Sequence, residues 1–232
     1  MSLPVIDLPK YSTQLPSTGQ DVLFRPFLVR EQKQLLIAVN GDAEQQIQAM
    51  MDTIDACTFG KLDVSQLPAY DLEYLFLQIR AKSIGETIGI SLTCNHCAHV
   101  QDGKIDITEV QVDKPEGHAN IIELDGNLTV EMSDPDLRQL DELRRDFSAD
   151  AAIVVIAGCI RSIWEGDELY AAQDYSVAEL VSWIENLSPA NFTRIEEFFN
   201  TLPVLKHSID FTCNKCGGSN TAVLEGLQNF FV

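Results

Sequence analysis

Two copies of one short phrase, Thr-Cys-Asn-x-Cys, constrain this chain more than any other feature. The first contains Cys94 and Cys97, the second Cys213 and Cys216. Apolar and polar residues alternate before each copy ("TIGISLTC", "LKHSIDFTC") and again after it ("VQDGKIDIT", "NTAVLEGL"). Each copy is therefore expected to be a turn between two strands. A Cys-x-x-Cys turn brings two thiolates to one point, and a structural Zn2+ takes four of them in a tetrahedron at about 2.3 Å each. Gly217 and Gly218, directly after the second pair, suit the sharp bend such a turn needs. Cys94, Cys97, Cys213 and Cys216 are thus the expected ligands of one shared structural Zn2+.

The spacing departs from an ordinary zinc ribbon, whose two pairs lie ~15–20 residues apart. Here residues 98–212 intervene. The entropic cost of closing a loop rises only with the logarithm of its length. An insert that folds as its own unit, with its ends close together, is compatible with one shared site, and the metal would clamp those ends. His96 and His99 are alternative ligands beside the first turn; otherwise they are solvated turn residues. His118 and His207 carry no signal. A thioredoxin-like redox role needs the cysteine pair at a helix N-terminus, where the thiol pKa is depressed; strands flank both pairs here. Cys57 and Cys159 fall on apolar faces and read as buried free thiols.

Composition narrows the function. The formal net charge is −19, and the Lys and Arg residues are scattered, with Arg144-Arg145 the one local doublet in "LRRD". Such a chain repels phosphate backbones unless a basic face is segregated, so no nucleic-acid partner is expected and basic protein partners are favoured. The longest apolar run, Ala151–Ile160, is too short to span a membrane. The start, "MSLPVIDLPKYSTQ", has no basic segment followed by an apolar one, so a protein kept in a cytoplasm is expected. No nucleophile elbow, zinc-protease helix or phosphate-binding glycine loop is found, so the chain reads as a non-enzyme.

Local signals outline the rest. "LPSTG" (15–19) is a turn on Pro16 and Gly19, and "DVLFRPFLV" is a strand bent at Pro26. Asp42 and Gln45 open a helix whose apolar face is Ile47, Met50, Met51 and Ile54. Leu72, Leu75, Phe76 and Ile79 mark the next helix, stopped at Gly85. "IIELDGNLTVEM" is a hairpin with Asp125-Gly126 in a type I′ turn. Asp134 should cap a following helix, with Pro135 in its first turn. "SADAAIVVIAGCIRSI" reads as a central buried helix, with a buried strand as the alternative. Ser176 with Glu179, and Ser188 with Pro189, start two more helices, the second ending at Pro203.

The expected order is an extended N-terminal arm (1–21), a mainly helical segment (22–86), a split zinc-ribbon-like module (87–108 with 205–225) and a helical and β-hairpin insert (109–204). The fold class is α+β: a helical body with short antiparallel hairpins and a split zinc-ribbon-like knuckle pair. The arm and the helices of the insert are the candidate partner surfaces.

Four stretches, "LPSTGQDVLFRPFLVREQKQLLIA" (15–38), "LPAYDLEYLFLQIRAKSIGE" (67–86), "CIRSIWEGDELY" (159–170) and "FTCNKCGGSNTAVLEGLQNFF" (211–231), carry a resemblance. Together they are similar to the baseplate hub assembly proteins of T4-like contractile-tailed bacteriophages. The resemblance implies a non-enzymatic protein of tail morphogenesis, either a hub component or an assembly chaperone. Its partners would be other baseplate and hub proteins. It would act in the host cytoplasm during assembly and, as a hub component, in the virion tail. The zinc site rests on the cysteine spacing and not on the family. The alternatives are a nucleic-acid-binding zinc-ribbon protein and a thiol oxidoreductase using its Cys-x-x-Cys pairs.

Overall fold

A computed structural model describes residues 7–146 and 148–226. The first six residues of the expected arm lie outside them. The described chain divides into two compact units. One uses the chain up to Asp113 and again from Val204; the other is Lys114–Pro203.

The first unit opens with a hairpin of β1 (Tyr11–Gln14) and β2 (Asp21–Phe24). From Tyr11 onward the expected arm is therefore tied down. Leu15 at the hairpin turn is 1% exposed, and the Asp71 carboxylate accepts from both the backbone amide and the hydroxyl of Ser17. Gly19 closes the turn at φ +70°, its amide donating to the Leu15 carbonyl at 2.8 Å. Burial of Leu15 and the bonds of Ser17 to the buried Asp71 carboxylate explain why this segment is packed.

Helix α1 (Val29–Ala38) follows Pro26. Its start is held by charge. Glu31 accepts from Arg25 at 3.0 Å, from Arg30 at 2.7 Å and from the Leu28 amide at 2.7 Å. Burial alone would raise the Glu31 carboxyl, but these donors hold it at about 2. Helix α2 (Ala43–Cys57) is capped by Asp42, which accepts from the Gln45 amide, and α3 (Ala69–Ser83) ends ahead of Gly85. The α2 and α3 stripes meet in the core: Ile54, Leu75 and Ile79 are fully buried. Cys57 lies there as a free thiol, pushed up to about 11 by burial.

Two hairpins complete this unit. β3 (Thr87–Thr93) pairs with β4 (Val100–Asp106) through seven residue pairs and buries Ile88, Ile90 and Leu92 on one face. The short β5 (Gln111–Asp113) pairs with β10 (Val204–Thr212), which pairs in turn with β11 (Ser219–Glu225). Asp113 and Val204 are direct partners in that ladder. The chain thus leaves the unit and re-enters it at adjacent residues.

The second unit is a four-stranded antiparallel sheet with helices. β6 (Ile121–Glu123) pairs with β7 (Leu128–Met132), β7 with β8 (Ile160–Glu165), and β8 with β9 (Glu168–Ala171). Its helices are α4 (Leu137–Arg145), α5 (Ala149–Cys159), α6 (Val177–Glu185) and α7 (Pro189–Asn200). Val130, Ile156, Ile163, Ile184 and Ile195 lie in one core with Cys159, a free thiol that burial pushes up to about 12.

Three local expectations for this unit are revised. In the β6–β7 hairpin the positive φ angles fall on Gly126 (+76°) and Asn127 (+65°), one residue later than a type I′ turn on Asp125-Gly126 requires. Asp125 instead donates its amide to the Asn191 side chain. The cap of α4 is Asp136, in a reciprocal box with Gln139. Asp134 accepts from the ring of His118 at 2.9 Å, and the other ring nitrogen of that histidine meets the Thr201 hydroxyl at 3.1 Å. The apolar run 151–160 is helix as far as Cys159 and then turns directly into strand β8. The Ser176/Glu179 box, the Ser188 cap and the stop before Pro203 stand as the sequence implies. The class is α+β, a set of helices with short antiparallel sheets and a four-cysteine cluster.

Candidate metal centre

The β3–β4 and β10–β11 hairpins end in the two Cys-x-x-Cys turns, and the turns are built alike. In the first, the Ala98 amide donates to the Cys94 carbonyl at 2.9 Å, and the Cys94 amide donates to the His99 carbonyl at 2.8 Å. In the second, Gly217 donates to Cys213 at 2.9 Å, and Cys213 donates to Gly218 at 2.9 Å. In both, the amide two residues after the first cysteine points at its sulfur: His96 at Cys94 Sγ and Lys215 at Cys213 Sγ, each at 3.4 Å. Amides aimed at sulfur favour the thiolate. Both turns need a positive φ after the second cysteine. Gly217 (+71°) supplies it without strain; Ala98 (+54°) supplies it with its Cβ in place.

Each hairpin also holds the other. Asn95, next to Cys94, donates its amide to the Asn220 side chain at 2.8 Å. Asn214, next to Cys213, donates its amide to the Gln101 side chain at 2.9 Å. Gln101 and Asn220 each stand four residues beyond the second cysteine of their own turn. Asn220 also donates towards Cys94 Sγ at 3.5 Å and to the Gly218 carbonyl at 2.8 Å.

This cross-bracing brings together sulfurs that lie far apart in sequence. Cys94 and Cys216 Sγ are 3.7 Å apart, as are Cys97 and Cys213 Sγ, and all four ligand atoms lie within 4.8 Å of one another. Tetrahedral bonds of about 2.3 Å place sulfurs about 3.8 Å apart, so the donor set fits a single tetrahedral ion. The cysteines are free thiols. Their acid–base behaviour is in conflict. Burial opposes ionisation of Cys94, yet the amides of His96 and Cys97 and the sulfurs of Cys216 and Cys213 lower it to about 6. Cys213 is lowered, chiefly by the Cys216 amide. Cys216 accepts from the Gly218 amide, but the sulfurs around it, Cys97 first among them, push it up to about 12. Four sulfurs this close cannot all shed protons unaided; a bound dication removes the conflict. His96 is not part of the four-sulfur cluster; its Nε2 lies 3.1 Å from the Ser219 carbonyl oxygen.

Gln101, Asn220 and the strained Ala98 were not reached from the sequence. The signal that could have found them is the matched offset from the second cysteine of each turn, four residues for Gln101 and Asn220 and one residue for Ala98 and Gly217. Among the described residues no helix is long and apolar enough to cross a membrane.

A family model described as T4 bacteriophage base plate protein matches residues 8–232, nearly the whole chain. The chain belongs to the T4 bacteriophage base plate protein family. No curated protein and no solved structure gives a significant match. The match covers both Cys-x-x-Cys hairpins of this base plate protein and the whole of the Lys114–Pro203 unit.

Proposed function

We propose that this base plate protein is a non-enzymatic interaction module of the baseplate hub, acting as an assembly chaperone or a hub component. A structural zinc ion on Cys94, Cys97, Cys213 and Cys216 would join its two knuckle hairpins. The observation that carries the zinc reading is the convergence of four sulfurs from turns more than a hundred residues apart, with amides already aimed at two of them. When bound, the ion supplies charge compensation for four thiolates and a crosslink between hairpins. The protein's own part is to orient the sulfurs through the two turns and the Asn220 and Gln101 braces. Its partners would be other baseplate proteins, met in the host cytoplasm during assembly and in the virion tail if the chain is retained.

A nucleic-acid role has little support. Lys206, one of two lysines near the second knuckle, lies between Asp113 and Glu225 at 3.4 and 3.6 Å. A redox role has little either, since both cysteine pairs sit in strand–turn–strand hairpins.

Elemental analysis of the purified chain should find one zinc per chain. A tagged chain recovered from infected cells should bring hub proteins with it. Absence of metal would reject the zinc site, and recovery free of baseplate proteins would reject the hub role.

A further inference from the structure

The Lys114–Pro203 unit holds a cleft of about 420 Å³ between one face of its sheet and α6. The register explains what lines it. Leu128 is paired with Glu165, Ile163 with Tyr170, and Glu165 with Glu168. Residues paired across antiparallel strands share a face, as do residues two apart on one strand. Ile163, Glu165, Glu168 and Tyr170 therefore stand on the same side of the sheet. Helix α6 supplies Glu179, Leu180 and Trp183, and Tyr175 closes the approach from the segment before it.

Ile163 and Leu180 belong to the unit's core and form an apolar floor. Tyr170 and Trp183 are half-buried walls, while Tyr175 is 40% exposed. Three aromatic rings thus surround the space, and the carboxylates are of one sign. Glu165 and Glu168 are direct partners in the β8–β9 ladder, an arrangement of like charges that destabilises a hairpin unless something compensates it. Glu179 adds a third at the start of α6. None of the three is in a salt bridge among the described residues, and no Lys or Arg lines the cleft. The hydrogen bond of Tyr170 with Glu168 raises the phenol, so the ring stays neutral and its hydroxyl donates.

Aromatic faces attract cations through their ring quadrupoles. A guanidinium stacks on such faces and donates to carboxylates in its own plane, which an ammonium cannot do. We infer that this cleft receives an arginine side chain from a basic segment of a partner protein, stacked among Tyr170, Tyr175 and Trp183 and neutralised by Glu165. The volume is in the range of sites that enclose a ligand group. The net charge of −19 favours approach of such a segment.

The probe is a capped pentapeptide, Gly-Gly-Arg-Gly-Gly, titrated into the intact chain while the Trp183 indole signal is followed by NMR, with Trp164→Phe used to assign it. The same peptide with citrulline, neutral and of the same shape, is the control, and one with norleucine tests simple apolar filling. Saturable binding of the arginine peptide is expected, weaker by about tenfold for citrulline and for norleucine. Glu165→Gln and Tyr175→Ser, both at exposed positions, should weaken the arginine peptide by a similar factor without lowering the melting temperature. Equal binding of the citrulline or norleucine peptide, or no saturable shift with arginine, would overturn the inference. The cleft lies wholly in the unit that lacks the four cysteines, so this result is independent of the metal centre.

Discussion

The Asn220 side chain accepts the Asn95 amide at 2.8 Å, tying the β10–β11 hairpin to the residue beside Cys94. Gln101 does the same in the opposite direction for Asn214 beside Cys213. These braces fix how the two turns face each other, which neither hairpin's own ladder determines. Asn220→Ala removes both the brace and the donor towards Cys94 Sγ. Zinc affinity, measured by competition with a chromophoric chelator, should fall about 10–100-fold, the usual effect of losing a partner that orients a ligand. Gln101→Ala should behave alike. Unchanged affinity in both variants would mean that the turns alone orient the sulfurs.

Removing the metal should unfold more than a turn. Cys94→Ser or Cys213→Ser, or excess chelator on the native chain, should lower the melting temperature, because the site closes a loop of more than a hundred residues. Protons compete with zinc for the same thiolates. Cys216, pushed up to about 12, holds its proton more tightly than Cys94, lowered to about 6. Zinc retention should therefore weaken as pH falls, because each thiolate given up to a proton is a ligand lost. A melt unaffected by chelator at any pH would contradict a structural metal.

The two knuckles differ at one strained position, which gives a test of opposite signs. Ala98 adopts φ +54°, where its Cβ crowds the backbone, whereas Gly217 occupies the equivalent place freely. Ala98→Gly should stabilise by about 1 kcal/mol and Gly217→Ala should destabilise by a similar amount. Denaturant unfolding of zinc-loaded protein measures both. A destabilised Ala98→Gly would show that the methyl group gains more from packing than it loses in strain.

Glu31 predicts an acid-sensitive element. Its side chain is 3% exposed and is lowered to about 2 against burial by Arg30, Arg25 and the Leu28 amide. A group whose folded pKa lies below its unfolded one stabilises fully above the unfolded value. Here that value is 4.5, and the contribution is lost as pH falls towards about 2. Glu31→Gln should cost about 3 kcal/mol at neutral pH, leaving Arg25 buried without its counter-charge, and should flatten the stability profile between those limits. An unchanged profile would show that Arg25 finds another partner.

In the second unit, His118→Phe keeps a ring against Phe198, 4.9 Å away in the native structure, but gives up the bonds to Asp134 and Thr201. The half-buried Asp134 carboxylate loses the His118 donor and the buried ring nitrogens' bonds are gone, so a loss of about 1–3 kcal/mol is expected. A melt within experimental error of the native one would assign those bonds no net value.

Local rules carried the elements that depend on neighbours in sequence. The Ser176/Glu179 box, the Ser188–Pro189 start and the Asp42 cap are each settled within four residues, where a side chain either reaches an unpaired amide or does not. The cysteine spacing likewise named the four sulfurs that the fold brings within 4.8 Å, since a Cys-x-x-Cys turn is itself local. Competition between near-equal local solutions misled at two places. Asp134 and Asp136 are both able caps, and the choice went to Asp136 because Gln139 completes its box while Asp134 meets His118, sixteen residues back. At Asp125-Gly126 the turn moved one residue on, and the Asp125 amide went to Asn191, sixty-six residues away. Only the tertiary structure set the reach of Asn220 to Asn95, the burial of Leu15 at the turn of the first hairpin, and the gathering of Glu165, Tyr175 and Trp183 around one cleft. Each of these depends on which distant surfaces pack together. That is a sum over many weak apolar contacts, and no short window of sequence contains it.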